Sequence, residues 1–149
     1  METLFEKQAL DKSIARIHQL RADMPPIWGK MNATQMLDHC SETMKVVRDQ
    51  KQIKRSFISY ILGSMLKKNF YNDKPFHKNS PTHADFIITS TSDFEQAKQQ
   101  LIDHLTAFHE GGIEKCTAAP HTFFGKITKE QWGIGMYKHL DHHLQQFGV

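Results

Sequence analysis

The segment HLDHHLQQFGV, residues 139–149, places three histidines within five positions. Neutral imidazole is a common metal ligand, and it titrates near physiological pH. His139 and His143 are four residues apart, so on a helix their side chains stand one turn apart on one side. Counted at about 100° per residue from Trp132, that side also carries Met136, Leu140, Leu144 and Phe147. His142 falls at its flank, and Asp141 points the opposite way. A buried imidazole left without a partner costs about 1–3 kcal/mol. Two on one apolar face double that problem, and a divalent cation solves it through both neutral nitrogens. The competing reading is a pair of core-edge histidines satisfied by aspartate or backbone groups.

A third ligand has to come from another element. His39 leads, because it sits at the edge of an apolar helical face behind a strong N-cap. His104, beside Leu101 and Leu105, and His121, just before the last helix, follow it. His18, His77, His83 and His109 fall on polar faces or in loops and are expected at solvent. Three histidine ligands would leave the metal an open position, the feature that separates a reactive site from a closed structural one.

Helices must position these groups. Residues 2–22 carry Leu10, Ile14, Ile17 and Leu20 at helical spacing, and Pro25–Pro26 then stop the helix. Asn32 with Gln35 forms an N-x-x-Q capping pattern for a second helix, whose face is Met36, Cys40, Thr43, Met44 and Val47. Residues 57–71 predict a shorter helix with a broad apolar stripe, Phe57, Ile58, Ile61, Leu62, Met65 and Leu66, weakened at Gly63. Residues 72–92 read as irregular, with only 86–88 strand-like; a loop of this length is expected to line something or meet a partner. Ser92 with Glu95 predicts a capping box for the helix bearing Phe94, Ala97, Leu101, Leu105 and Phe108, which ends at Gly111 and Gly112. Thr128 with Gln131 opens the last helix, which runs to about Phe147. The expected class is all-α, a helical bundle in a single domain over residues 1–149.

Composition narrows the function. Apolar residues make up 39% and charged residues 23%, an ordinary globular balance. A net charge of +3 is too small to imply nucleic acid without a clustered patch. Lys51, Lys54, Arg55, Lys67 and Lys68 are read as solvated helix ends. Cys40 and Cys116 lack CxxC spacing, and Cys40 lies in an apolar stretch, so a disulfide framework is not expected. METLFEKQALDKS shows no apolar leader, and the run Phe57–Leu66 is far too short to span a membrane. The expected location is the cytoplasm, with no nucleic-acid or membrane partner. The apolar residues of 57–71 make a homodimer plausible.

Three stretches together carry a family resemblance: WGKMNATQMLDHC (28–40), HTFFGKITKEQW (121–132) and KHLDHHLQQFGV (138–149). They resemble the DinB-like superfamily, and within it a branch of small bacterial proteins without assigned function. The resemblance covers nearly the whole chain. It implies an up-down-down-up four-helix bundle, with a long crossover that here contains the short extra helix. It also implies a three-histidine site for a divalent metal, matching His39, His139 and His143. Zinc or nickel is implied first, and iron after them. In that branch the histidine before the last helix is commonly followed by proline; here Thr122 stands there. That departure bears on the rigidity of the loop and not on the histidine; His121 is the candidate acid/base at the pocket mouth, or else a cap on the last helix.

By the same resemblance, the implied activity is metal-dependent transfer of a low-molecular-weight thiol to a small electrophile. No residue is identifiable as a thiol-recognition group. A metal-dependent hydrolase with His121 as proton shuttle is the second expectation. A non-enzymatic metal-binding or small-molecule-binding helical module is the third.

Overall fold

The structure, a computed structural model, describes residues 1–55, 57–89 and 92–149. Among them are six α-helices, one 3-10 turn and no strand. The helices are α1 (Lys7–Gln19), α2 (Ala33–Val47), α3 (Phe57–Leu66), α4 (Lys68–Tyr71), α5 (Phe94–Gly111) and α6 (Lys129–Gln146). The 3-10 turn is Ala84–Phe86.

The four long helices share one core. α5 packs on α1 and α2, and α6 packs on the same two. Ile17 of α1, Met36, Leu37 and Met44 of α2, Leu101 and Leu105 of α5, and Leu144 of α6 are fully buried within it. Each such side chain removed from water contributes roughly 1.5–3 kcal/mol. Asp141 of α6 accepts from Arg16 of α1 at 2.7 Å.

Helix ends follow the capping chemistry, with two corrections. Asn32 and Thr128 form reciprocal capping boxes with Gln35 and Gln131, as their spacing predicts. α5 is capped by Asp93 and not by Ser92: the Asp93 carboxylate accepts from the backbone N–H groups of Glu95 and Gln96. Ser92 Oγ donates instead to the Asp38 carboxylate of α2. α1 is shorter than expected. It ends at Gln19 because Leu20 turns extended and buries its side chain, and Lys98 donates to the Leu20 carbonyl.

The helix expected over 57–71 is two pieces, α3 and α4. Phe70 is buried against α6, whose Gly135 would, with any Cβ, overlap the Phe70 ring. α4 therefore packs on α6, whereas α3 packs on no helix but α4. The stripe predicted on α3 faces outward, and only Ser59 and Gly63 of that helix are buried. The strand-like reading of 86–88 also fails: Ala84–Phe86 is a 3-10 turn, where His83 Nδ1 accepts from Asp85 N–H.

Both cysteines are free and buried, and burial pushes the thiol of each upward, that of Cys116 to about 12. No helix among the described residues is long and apolar enough to cross a membrane.

Candidate metal centre

α2 delivers His39 and α6 delivers His139 and His143 to one point. The ligand nitrogens of the three rings all lie within 4.8 Å of one another. Ring centroids are 5.1 Å apart for His39 and His139, 4.8 Å for His39 and His143, and 4.7 Å for His139 and His143. It is the one such group of histidine, cysteine or carboxylate side chains among the described residues.

Hydrogen bonds fix the tautomers of two rings. His39 Nδ1 lies 3.0 Å from the Phe86 carbonyl, which can only accept. Nδ1 therefore carries the proton, and Nε2 presents its lone pair to the cluster. His143 Nδ1 lies 2.9 Å from Gln146 Oε1. The Gln146 amide is itself oriented, because its Nε2 donates to the Trp28 carbonyl at 2.6 Å. Its oxygen must then accept from His143, and His143 Nε2 is left free. An imidazole N–H held by a backbone carbonyl or amide oxygen in this way is the usual support of a metal-ligating histidine.

The closest pair of donors is spaced for a divalent cation. The Nε2 atoms of His39 and His139 stand 3.1 Å apart. Two nitrogens each about 2.0–2.1 Å from one ion are separated by roughly 2.9 Å at right angles and 3.4 Å at the tetrahedral angle. All three rings favour the neutral form that binds metal. Burial lowers His39 against the opposing bond to Phe86. Burial, and then His39, lowers His143 to about 3. Burial is also the largest cause for His139, and charge on His143, His39, His142 or His121 would lower it further. No carboxylate joins the group, so the three donors bring no negative charge.

His142 is at the flank, as the helical count predicts. Its ring is half-buried, with Trp28 at 5.5 Å and Phe76 at 5.9 Å, and it touches the His143 ring edge at 5.2 Å. Trp28, Phe76 and His142 form an aromatic wall beside His143. Lys78 lies over the Trp28 ring and Lys138 over the Phe76 ring.

His121 is stacked on Trp132 at 4.8 Å, with Phe70 and Phe124 against its other sides. Its Nδ1 accepts from the backbone N–H groups of Phe123 and Phe124, at 3.0 and 3.2 Å. His121 and Gly125 exchange two backbone hydrogen bonds that close the same turn. The imidazole thus caps its own turn, while Thr128 caps α6. Burial, aided by Arg55, lowers it to about 3. At neutral pH it is a neutral ring with its proton on Nε2.

The remaining histidines stay apart from the cluster. His104 Nδ1 accepts from Arg48 at 2.7 Å on α5. His18 and His77 are exposed as expected. His83 and His109 are not; both are half-buried, His83 because it caps the 3-10 turn and His109 because its Nδ1–H donates to the Leu4 carbonyl.

Sequence reasoning missed Gln146 and the Phe86 carbonyl. The i,i+3 spacing of His143 and Gln146 is a usable signal. A backbone carbonyl from an irregular segment leaves none. It does give that segment a part in the site, since its Phe86 holds His39.

The sequence model of a protein family described as a protein of unknown function (DUF1569) matches residues 3–148. No curated protein and no solved structure matches the chain.

Proposed function

The chain belongs to the DUF1569 family, and we propose that it is a DinB-like four-helix bundle holding one divalent metal on His39, His139 and His143, for thiol transfer to small electrophiles. The bundle reading is supported by α1, α2, α5 and α6 sharing one core. The long passage from α2 to α5, which contains α3 and α4, supports an up-down-down-up course.

One observation carries the metal reading: three neutral imidazoles from two helices converge within 4.8 Å, two of them with the far N–H already engaged. Zinc or nickel suits such a set, then iron. A divalent cation held there would lower the pKa of a thiol at its open position.

The chain's own residues supply the rest. His39 and His143 are oriented by Phe86 and Gln146, so their lone pairs are aimed before any ligand arrives. The wall of Trp28, Phe76 and His142 offers apolar ring faces to the body of an electrophile and excludes water from one side. His121, neutral, offers a hydrogen-bond donor at Nε2. In the transfer, the thiolate sulfur forms a bond to the electrophilic carbon. The carbon–halogen bond, or one carbon–oxygen bond of an epoxide, breaks with its electron pair going to the halide or the oxygen, and the thiol proton passes to solvent or, through it, to that oxygen.

The test uses the untagged protein. Bound metal is measured, and the metal-loaded protein is then incubated with a haloarene or an epoxide, with and without a cellular thiol. Thiol-dependent product supports the transfer. Thiol-independent turnover overturns it in favour of hydrolysis, and tightly held metal without turnover leaves a binding module.

A further inference from the structure

α3 is an amphipathic helix turned inside out. Its inward edge is Ser59 and Gly63, and a Cβ at Gly63 would overlap the Phe123 carbonyl. Its outward face is apolar: Phe57 is 79% exposed, Met65 78%, Tyr60 62%, Ile58 61% and Ile61 57%. Large apolar side chains contiguous on a surface mark an interaction site. Singly they would need no explanation, but here five lie within nine residues of one helix that packs on α4 alone among the helices.

Charge identifies what covers this face. The chain has no aspartate or glutamate from residue 50 to residue 72. Basic residues bracket the helix on both sides, Lys51, Lys54 and Arg55 before it and Lys67 and Lys68 after it. Lys51 is paired with Glu42, at 2.5 Å. Arg55 donates to the Ser59 and Phe123 carbonyls and lies over the Tyr60 ring at 4.1 Å, so its cation is fixed at the margin of the apolar face. Lys54 and Lys68 are exposed.

A second copy of the chain fits this pattern poorly. A two-fold interface pairs a patch with itself. Run antiparallel, two α3 helices would set Lys54 and Arg55 against Lys67 and Lys68; run parallel, each basic end would meet its own equivalent. Neither arrangement brings a carboxylate to neutralise the cations. An apolar face flanked by cations is the pattern that lies in the plane of an anionic bilayer surface. Its rings and aliphatic chains enter the acyl boundary, and its lysines stay at headgroup level.

We propose that α3 is a peripheral membrane-docking helix, whose outward apolar face and flanking lysines seat on an anionic phospholipid surface. This is docking on a surface and not a span, in keeping with its ten residues. It departs both from the homodimer expected for residues 57–71 and from the expectation of no membrane partner, and it does not depend on the metal site.

The test is co-sedimentation of the full-length protein with vesicles of phosphatidylcholine mixed with phosphatidylglycerol, against vesicles of phosphatidylcholine alone. The protein should pellet with the anionic vesicles, and added salt should release it. Combining Phe57→Ser and Met65→Ser should lower the partition at least about tenfold, since both side chains leave the lipid. Both are exposed, so the fold and the bound metal should be unchanged. Combining Lys67→Glu and Lys68→Glu should also weaken binding to the anionic vesicles. The proposal is overturned by protein that stays in the supernatant, or by equal pelleting with both kinds of vesicle. It is also overturned if light scattering finds a lipid-free dimer that the Phe57 and Met65 substitutions dissociate, because a second copy would then occupy the face.

Discussion

Gln146 holds His143 from one turn further along α6: its Oε1 accepts from His143 Nδ1 at 2.9 Å, while its Nε2 donates to the Trp28 carbonyl. The glutamine is buried, and it ties the ligand face of α6 to the segment that follows the double proline. Gln146→Leu removes the acceptor and leaves the His143 N–H unpaired. Metal affinity should fall about 10–100-fold, the usual cost of losing such a support. Gln146→Glu keeps the acceptor for His143 but sets its second oxygen against the Trp28 carbonyl, so it should restore only part of it. Competition against a chromogenic chelator measures both. Unchanged affinity in Gln146→Leu would mean that Gln146 acts only through packing.

The ligand set makes a second prediction. His143→Ala should abolish stoichiometric metal, and so should His39→Ala. In the wild-type chain, added zinc at a hundredfold excess over its dissociation constant should raise unfolding stability by about 2.7 kcal/mol. In either variant the same addition should do nothing. Metal analysis together with thermal melts checks this, and full metal retention in His143→Ala would remove that residue from the site.

These residues were legible to unequal degrees. The pair His139 and His143 could be read because an i,i+4 spacing on an apolar helix fixes both distance and direction. His39 could be placed because Asn32 fixes the start of α2, and hence the phase of every residue after it. Gln146 and Phe86 were not foreseen, since one works through an amide oriented from a distant carbonyl and the other through its own carbonyl. Ser92 and Asp93 are adjacent capping residues, and pattern alone favoured the S-x-x-E reading. α3 shows a further limit. Periodicity reports that a helix has an apolar side, but the tight contact of Gly63 with the Phe123 carbonyl decides which side faces in.

The capping of α5 separates those two residues by experiment. Asp93→Ala leaves the N–H groups of Glu95 and Gln96 without their acceptor and should cost about 1 kcal/mol. Ser92→Ala removes only a solvent-exposed hydrogen bond to Asp38 and should cost less. Urea unfolding of the two variants ranks them, and the reverse order would restore the capping box predicted at Ser92.

Close approach of α4 to α6 predicts a steric penalty. Gly135→Ala places a methyl group on the Phe70 ring, which is part of the buried core. Overpacking of this kind costs about 1–3 kcal/mol. Because Phe70 also packs on His121 at 4.6 Å, displacement of the ring should change the environment of that imidazole as well. A lowered melting temperature, with a shifted His121 resonance in the NMR spectrum, is the expected result. A melting temperature equal to that of the wild type would show that Phe70 yields without cost.

Acid should destabilise the metal-free protein through the same histidines that bind metal. In the unfolded chain each titrates near 6.5. In the folded chain His39, His139 and His143 are all lowered, His143 to about 3, with burial the first cause in each case. Above about 6.5 neither state binds these protons, so the histidines add no pH dependence there. Below it, the unfolded state takes up protons that the folded state refuses, and stability falls as pH falls. Each refusing imidazole steepens the slope by up to about 1.4 kcal/mol per pH unit, until its folded value is reached. Metal binding should weaken over the same interval, because protons compete for the same nitrogens. Urea unfolding of metal-free protein between neutral and mildly acid pH measures the slope. His143→Asn, which cannot titrate, should make it shallower by up to one histidine's share. An unchanged slope would mean that His143 is protonated as readily in the folded chain as in the unfolded one, contrary to its enclosure by His39 and Gln146.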